Sequence, residues 1–373
     1  MVASTQKQTI KSRHPSLMGM ICGLLLVSVV NANDVNYQIV SYSMDDKQES
    51  HSIPSIQDEI PVENNLYPLA RQNRMGMQQV RKRPEGRLYF GVEHSNWKIR
   101  RRDLDYAVTN TGSALAIGQG DIKELSFDRD DNFKAILGIK IDDGWKLGLV
   151  YSNYRTRQSD SIEAAAGETL YATRSHPEFN ERAFDASMAA MLDTDSFDAE
   201  VRGDIKLSER ASITVFGGFR WMDTNQILDT SYDGIDFNDG SVVQQNQSAL
   251  FGLRLGSLGR YDISDRYYIF GSMEATLAYG RHSLSLQETN NSGGTLLVDV
   301  QDSYSQAHLL AEASFGAGLV LGEYDLRLGY ELNFWGGMAS RLVFLDDTHE
   351  AMFSHQTEDI MLDGVFIRLS RDY

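Results

Sequence analysis

The segment 196–207 constrains the fold more than any other part of this chain. Phe197, Ala199, Val201, Ile205 and Leu207 share one parity, and Asp198, Glu200, Arg202, Asp204 and Lys206 the other. Side chains on a β-strand alternate between faces with period two, so this is a strand with one apolar and one charged face. The pattern recurs. At 133–141, Phe133, Ala135, Leu137, Ile139 and Ile141 oppose Lys134 and Lys140, and at 145–156 Trp145, Leu147, Leu149 and Tyr151 form the apolar side. Asp142-Asp143-Gly144 joins these two, since Asp-Gly readily adopts the positive φ of a tight hairpin.

The alternation predicts ten strands, at about 87–97, 133–141, 145–156, 196–207, 211–226, 246–260, 266–282, 304–320, 324–336 and 360–373. Four short turns lie at one end with both termini, and five long polar loops at the other. Such asymmetry belongs to transmembrane β-barrels, whose strand number is even in bacterial single chains. The stretches 98–131 and 338–358 leave room for one more hairpin, so twelve strands is the alternative.

The N-terminus supports this reading. In residues 1–32, Lys7, Lys11 and Arg13 precede an apolar run from Leu17 to Val30, and Val30-Asn31-Ala32 offers small residues for signal cleavage. The run is about 14 residues, short of the roughly 20 a spanning helix needs. A lipoprotein reading through Cys22 meets Ile21 where a small residue belongs. Cys22 is the only cysteine, so a mature chain would have no disulfide, thiolate metal site or cysteine nucleophile. Beyond Ala32 no apolar stretch approaches 18 residues, so only strands are left to cross a membrane. Residues 33–86 carry Pro54, Pro61, Pro68 and Pro84 without sustained periodicity, and are expected to form a flexible periplasmic extension ahead of a barrel at 87–373.

Removing the signal takes away three basic and no acidic residues, moving the formal net charge from −17 to −20. That balance argues against a nucleic-acid partner, which wants clustered Lys and Arg. The expected surroundings are outer-membrane lipids and lipopolysaccharide, with the barrel-assembly machinery as partner in biogenesis. The sequence leaves the oligomeric state open.

Aromatic placement argues that the apolar parity faces lipid. Tyr267 and Tyr279 end one apolar face, Tyr324 and Phe334 another, and Phe251 and Tyr261 a third, with aliphatic and small residues mostly between them. Tyr and Trp favour membrane interfaces, where the ring is apolar and the polar tip reaches water. The C-terminal stretch, with Val365, Ile367, Leu369 and Tyr373 on one parity, is similar to the signal read by barrel-assembly machinery. The fold class is therefore all-β, an antiparallel up-and-down barrel in the outer membrane.

The opposite parity would line the lumen with Lys134, Lys140, Lys146, Asp198, Glu200, Arg202, Asp204, Arg220, Arg254, Glu274, Glu312, Arg327, Glu331 and Arg368. Glu93, Lys206 and Asp325 share it. Buried charge needs water or opposite charge. Two arrangements follow, a wet channel with mixed-sign walls or a salt-bridged lumen bracing the barrel. Ten strands predict a narrow lumen, because about eight are just filled by side chains.

No G-x-S-x-G, H-E-x-x-H or phosphate-loop motif occurs. His282 is expected to cap its strand, His308 to lie inward, and His349 and His355 to flank acids of the last loop, where Asp346-Asp347-Thr348-His349-Glu350 reads as a solvated loop or latch. The expectation is a non-enzyme without metal or cofactor.

Several stretches resemble the family of the Legionella major outer membrane protein. They are Asp103-Leu104-Asp105-Tyr106-Ala107, Gly144-Trp145-Lys146-Leu147-Gly148-Leu149, Phe216-Gly217-Gly218-Phe219-Arg220-Trp221, Tyr279-Gly280-Arg281, Phe344-Leu345-Asp346-Asp347 and Asp359-Ile360-Met361-Leu362-Asp363-Gly364-Val365-Phe366. The resemblance spans about 88–373 and implies a pore-forming outer-membrane barrel, with no catalytic residues to carry over. The extension at 33–86 lies outside it. The cysteines that crosslink the Legionella protein have no counterpart after Ala32. The expected function is a porin-like channel for small solutes or ions. A non-conducting surface barrel acting through its loops in adhesion or phage contact is the alternative, and a barrel-rim hydrolase a more distant one.

Overall fold

The computed structural model describes residues 88–110, 120–142, 144–178, 181–345 and 352–372. The signal segment, the extension at 33–86, Asp143, the 346–350 cluster with His349, and Tyr373 lie outside the described residues.

Ten antiparallel strands close into one barrel. In chain order they are β1 (Leu88–Arg100), β4 (Arg129–Asp142), β5 (Trp145–Glu163), β8 (Asp185–Lys206), β9 (Ala211–Gly234), β10 (Phe237–Asp262), β11 (Tyr267–Asn290), β12 (Thr295–Leu321), β13 (Tyr324–Phe344) and β14 (Phe353–Asp372). The ring shuts where β1 pairs with β14, from Tyr89 opposite Asp372 to Arg100 opposite Met361. Each predicted strand is a wall strand. The twelve-strand alternative fails, because β2 (Asp105–Asn110) and β3 (Ile122–Glu124) join β6 (Thr169–Ala172) and β7 (Arg182–Ala183) in a separate four-stranded sheet.

The long-loop expectation needs correction at two of the five connections. β9 and β10 are joined through Ile235 and Asp236, and β11 and β12 through Asn291–Gly294, with positive φ at Ile235, Asn291, Ser292 and Gly293. The stretches read as loops are continuations of the wall, and His282 lies within β11 rather than capping it. The physical reason is a reversal of phase. Within the membrane band the outward parity is apolar, as at Met273, Leu277 and Tyr279. Higher on β11 the inward residues Leu284 and Leu286 are buried, while Ser283, Ser285 and Gln287 face out. Outside lipid a strand again hides its apolar side from water, so alternation persists with the opposite sign.

The upper edge of the lipid-facing band is an aromatic belt in register. Tyr151 pairs with Phe197, Phe197 with Trp221, Trp221 with Phe251, and Phe251 with Tyr279. Trp145, Tyr261, Tyr267 and Tyr324 mark the other edge, all well exposed. From Phe251 to Tyr261 a tilted strand climbs roughly 25 Å, the height of the apolar band in outer-membrane barrels.

Above the belt the barrel is filled. The connections 101–128 and 164–184 contribute Leu104, Tyr106, Leu125, Phe127 and Leu170, packed against inward Met188, Leu192, Leu228, Tyr232, Leu284 and Leu286. Polar contacts fix them there. Tyr232 Oη donates to the Tyr106 carbonyl at 2.6 Å, and Arg174 donates to the Asp105 carbonyl and Gln244, each at 2.7 Å. Burial, and then Arg341 nearby, lower the Arg174 guanidinium to about 10.

Candidate functional site

The lumen is the one compartment into which the charged parity of every wall strand projects, and it falls into three levels. Short turns and chain ends mark the periplasmic side. There an open vestibule of about 680 Å³ is lined by Lys140, Lys146, Asp204, Arg260, Asp325 and Arg327, among others. Lys146 pairs with Asp204 at 3.5 Å and Arg327 with Asp325 at 3.3 Å. The Arg260 guanidinium lies 3.7 Å from the centre of the Tyr268 ring, a cation–π contact that fixes the vestibule wall.

The waist above it is a lattice of ion pairs. Arg220 grips Asp198 with two parallel hydrogen bonds of 2.7 and 2.8 Å, reaches Glu274 at 3.2 Å and also touches Glu312. Arg254 binds Glu200 at 2.6 Å, Glu274 at 2.9 Å and Asp198 at 3.2 Å, and Arg202 pairs with Glu200. On the other side Lys134 joins Glu93 at 3.1 Å and Glu331 at 2.9 Å, and Arg368 binds Glu93 at 2.6 Å.

Several of these pairs are chords across the lumen rather than contacts along the wall. β9 carries Arg220 and β12 carries Glu312, and β4 carries Lys134 and β13 Glu331, each pair with two strands between. Small residues let long side chains converge. A Cβ at Gly148 would stand 2.3 Å from the Tyr89 hydroxyl and 3.1 Å from a Glu200 carboxylate oxygen. Between the two networks remains a cavity of about 90 Å³, room for a few water molecules.

All fourteen residues expected to line the lumen are inward-facing, and they divide between two levels. Lys134, Asp198, Glu200, Arg202, Arg220, Arg254, Glu274, Glu312, Glu331 and Arg368 build the waist. Lys140, Lys146, Asp204 and Arg327 face the vestibule. Of the two arrangements open from sequence, the salt-bridged lumen is the one observed. The candidate list lacks Glu93 and Trp97, although Trp97 Nε1 donates to Glu331 and its ring lies 5.2 Å from Lys134 Nζ. Glu93 was visible by its charge and parity, and Trp97 by standing on a charged parity where an aromatic has no lipid to meet. His355 pairs with Asp302 at 2.7 Å on the rim.

In shape the chain is similar to solved outer-membrane proteins. The outer membrane protease OmpT from Escherichia coli matches at 10% identity over 78% of this chain and 97% of that one, with a TM-score of 0.48. The Pseudomonas putida toluene transporter TodX matches at 8% over 78% and 91%, TM-score 0.28. OprG from Pseudomonas aeruginosa matches at 8% over 76% and 95%, TM-score 0.25. No curated protein matches the chain. The family model for the Legionella pneumophila major outer membrane protein precursor matches residues 85–372, which is the whole barrel. With its closed ring of ten strands, its aromatic belts and that match, the chain belongs to the Legionella major outer membrane protein family of outer-membrane β-barrels.

Proposed function

We propose that the barrel is a gated, non-enzymatic channel for small solutes or ions. The observation that carries this reading is the 680 Å³ vestibule, which opens to one end and meets the polar waist through shared walls at Ile136, Arg202 and Arg368. A polar path through the membrane band is compatible with water, and narrowness rather than apolar lining limits it. The resting state is closed twice, by the ion-pair lattice and by the inserted connections above it. Conduction therefore requires movement of the connections 101–128 and 164–184, whose described strands form a sheet of their own outside the wall. Cleavage after Ala32 and a lipid and lipopolysaccharide environment complete the proposal, the latter supported by the apolar band between aromatic belts.

The same double closure favours a second reading, a non-conducting barrel that acts through its tall outer hairpins. Planar-bilayer recording of refolded mature protein, beside a variant with both connections replaced by short Gly-Ser links, separates the two. The channel reading expects rare, small steps from the first and frequent, larger steps from the second. Silence from both, with the heat-modifiable mobility of a folded barrel, leaves the surface reading.

A further inference from the structure

Charge on the outer face of the wall is segregated around the upper rim of the membrane band. On β1, β4 and β5 the outward positions beyond the band carry Lys98, Arg100, Arg129, Arg155 and Arg157, interrupted by Asp131. On β8 and β9 Asp193, Asp195 and Asp223 stand beyond the band instead. Five clustered cations are a local reversal on a chain of formal net charge −17. Arg129 lies four residues past Phe133, and Arg155 four past Tyr151, both exposed rings of the band. Four residues of tilted strand climb roughly 10 Å. That sets the bases over the headgroup layer, where long flexible side chains reach phosphates.

The protein's own acids leave this cluster short of negative charge. Lys98 stands directly opposite Arg129. The register that pairs Asn132 with Tyr154, continued three residues, sets Arg129 opposite Arg157. Like charges directly opposite on one face destabilise a sheet, so this row of three calls for anions. Asp363 serves two arginines at once, Arg100 at 2.6 Å and Arg129 at 3.5 Å. Asp193 serves Arg155 at 3.0 Å. Asp131 is turned to Asn96 at 3.1 Å and His94 at 3.5 Å. Lys98 and Arg157 make no ion pair among the described residues. The paired arginines remain open as well, with Arg100, Arg129 and Arg155 side chains 58%, 42% and 69% exposed.

We propose that Lys98, Arg100, Arg129, Arg155 and Arg157 form a docking surface for the phosphate groups of one outer-leaflet lipopolysaccharide molecule. The short turns put the opposite end of the barrel in the periplasm, so this rim meets the outer leaflet. Guanidinium forks match phosphate oxygens in pairs, and a lysine adds a mobile point charge. The acyl chains of the same molecule would lie below, along the exposed apolar residues Val92, Phe133, Leu137 and Tyr151. The bound lipid would tie β1, β4 and β5 together beside the seam where β1 meets β14. The site rests on the lipid and lipopolysaccharide environment proposed above and is independent of conduction.

The test titrates the refolded mature barrel in neutral detergent with bisphosphorylated lipid A, and separately with the same lipid stripped of its phosphates. Retained lipid is counted by native mass spectrometry. A chelator is present, so that divalent ions cannot bridge lipid to Asp193, Asp195 and Asp223. The phosphorylated form is expected to bind at least about tenfold more tightly. Lys98→Gln and Arg157→Gln, which break no ion pair, should each weaken it about fivefold, and the double variant about 25-fold. Arg157→Lys should retain most of the affinity, and Arg281→Gln, on the outer face of β11, all of it. Equal retention of the two lipid forms, or wild-type affinity in the double variant, overturns the site. Displacement of lipid A by millimolar inorganic phosphate shows a site for soluble anions and overturns it too. Insertion into vesicles of outer-membrane lipids is scored separately by heat-modifiable mobility. Failure to insert would remove the lipid environment itself, whereas insertion without phosphate preference removes the docking surface alone.

Discussion

Arg220 shows what a single residue does in this lumen. Its guanidinium meets Asp198, Glu274 and Glu312, and its side chain is only 8% exposed. Removing one partner of a buried ion pair leaves uncompensated charge, which costs about 3–5 kcal/mol. Arg220→Ala is therefore expected to lower the denaturation midpoint of the refolded barrel in urea markedly. Arg220→Lys should recover little, since an ammonium cannot reproduce the bidentate grip on Asp198. Arg155→Ala, which breaks an exposed pair with Asp193, is expected to leave the midpoint unchanged. Equal midpoints for Arg220→Ala and wild type would mean that water already solvates the waist, and the lattice would then be no brace.

A strand in this barrel is two strands end to end, one packed against lipid and one against protein. On β11 the break falls just above Tyr279, where the apolar parity moves from the outer to the inner face. Met273→Arg places a cation on the lipid face mid-band and is expected to cost about 2–4 kcal/mol, whereas Ser285→Arg, outward but above the belt, costs roughly 0–1. Folding equilibria of the two variants in lipid vesicles check the difference, and similar costs would remove the phase reversal as a marker of the membrane edge. The same reversal explains what was legible in the sequence. Ten strands could be located because contrast between parities is strong inside the band. Their upper halves were hidden because sign changes there and polar residues such as Thr230, Gln244 and Glu288 stand on the buried side. Which residues face inward followed from parity alone. Their pairing did not, because Lys134 and Glu331 are brought together only by closing the ring. His282 and His308 both stand inside predicted strands, and only the pairing of β11 with β12 brings their Nε2 atoms to 2.7 Å, so their contact was hidden for the second reason alone.

At the scale of the whole molecule, the membrane band and the part above it are stabilised by different forces. The band is held by the lattice within and lipid without, and needs neither inserted connection. The upper barrel is held by an apolar fill in which Tyr106, Phe127 and Leu170 come from the connections and Leu284, Leu286 and Tyr232 from the wall. Removing buried aromatics from such a fill costs about 3–5 kcal/mol each, and the loss is confined to the elements they touch. A Tyr106→Ala, Phe127→Ala double variant is therefore expected to accelerate amide hydrogen exchange in the upper halves of β8 to β11. Exchange at Leu253, Leu255 and Leu277 in the band should remain as slow as in wild type. Uniform acceleration along the strands would show one cooperative unit from rim to turn. The waist could not then stay closed while the connections move, and gating would have to act on the ion pairs and the fill together.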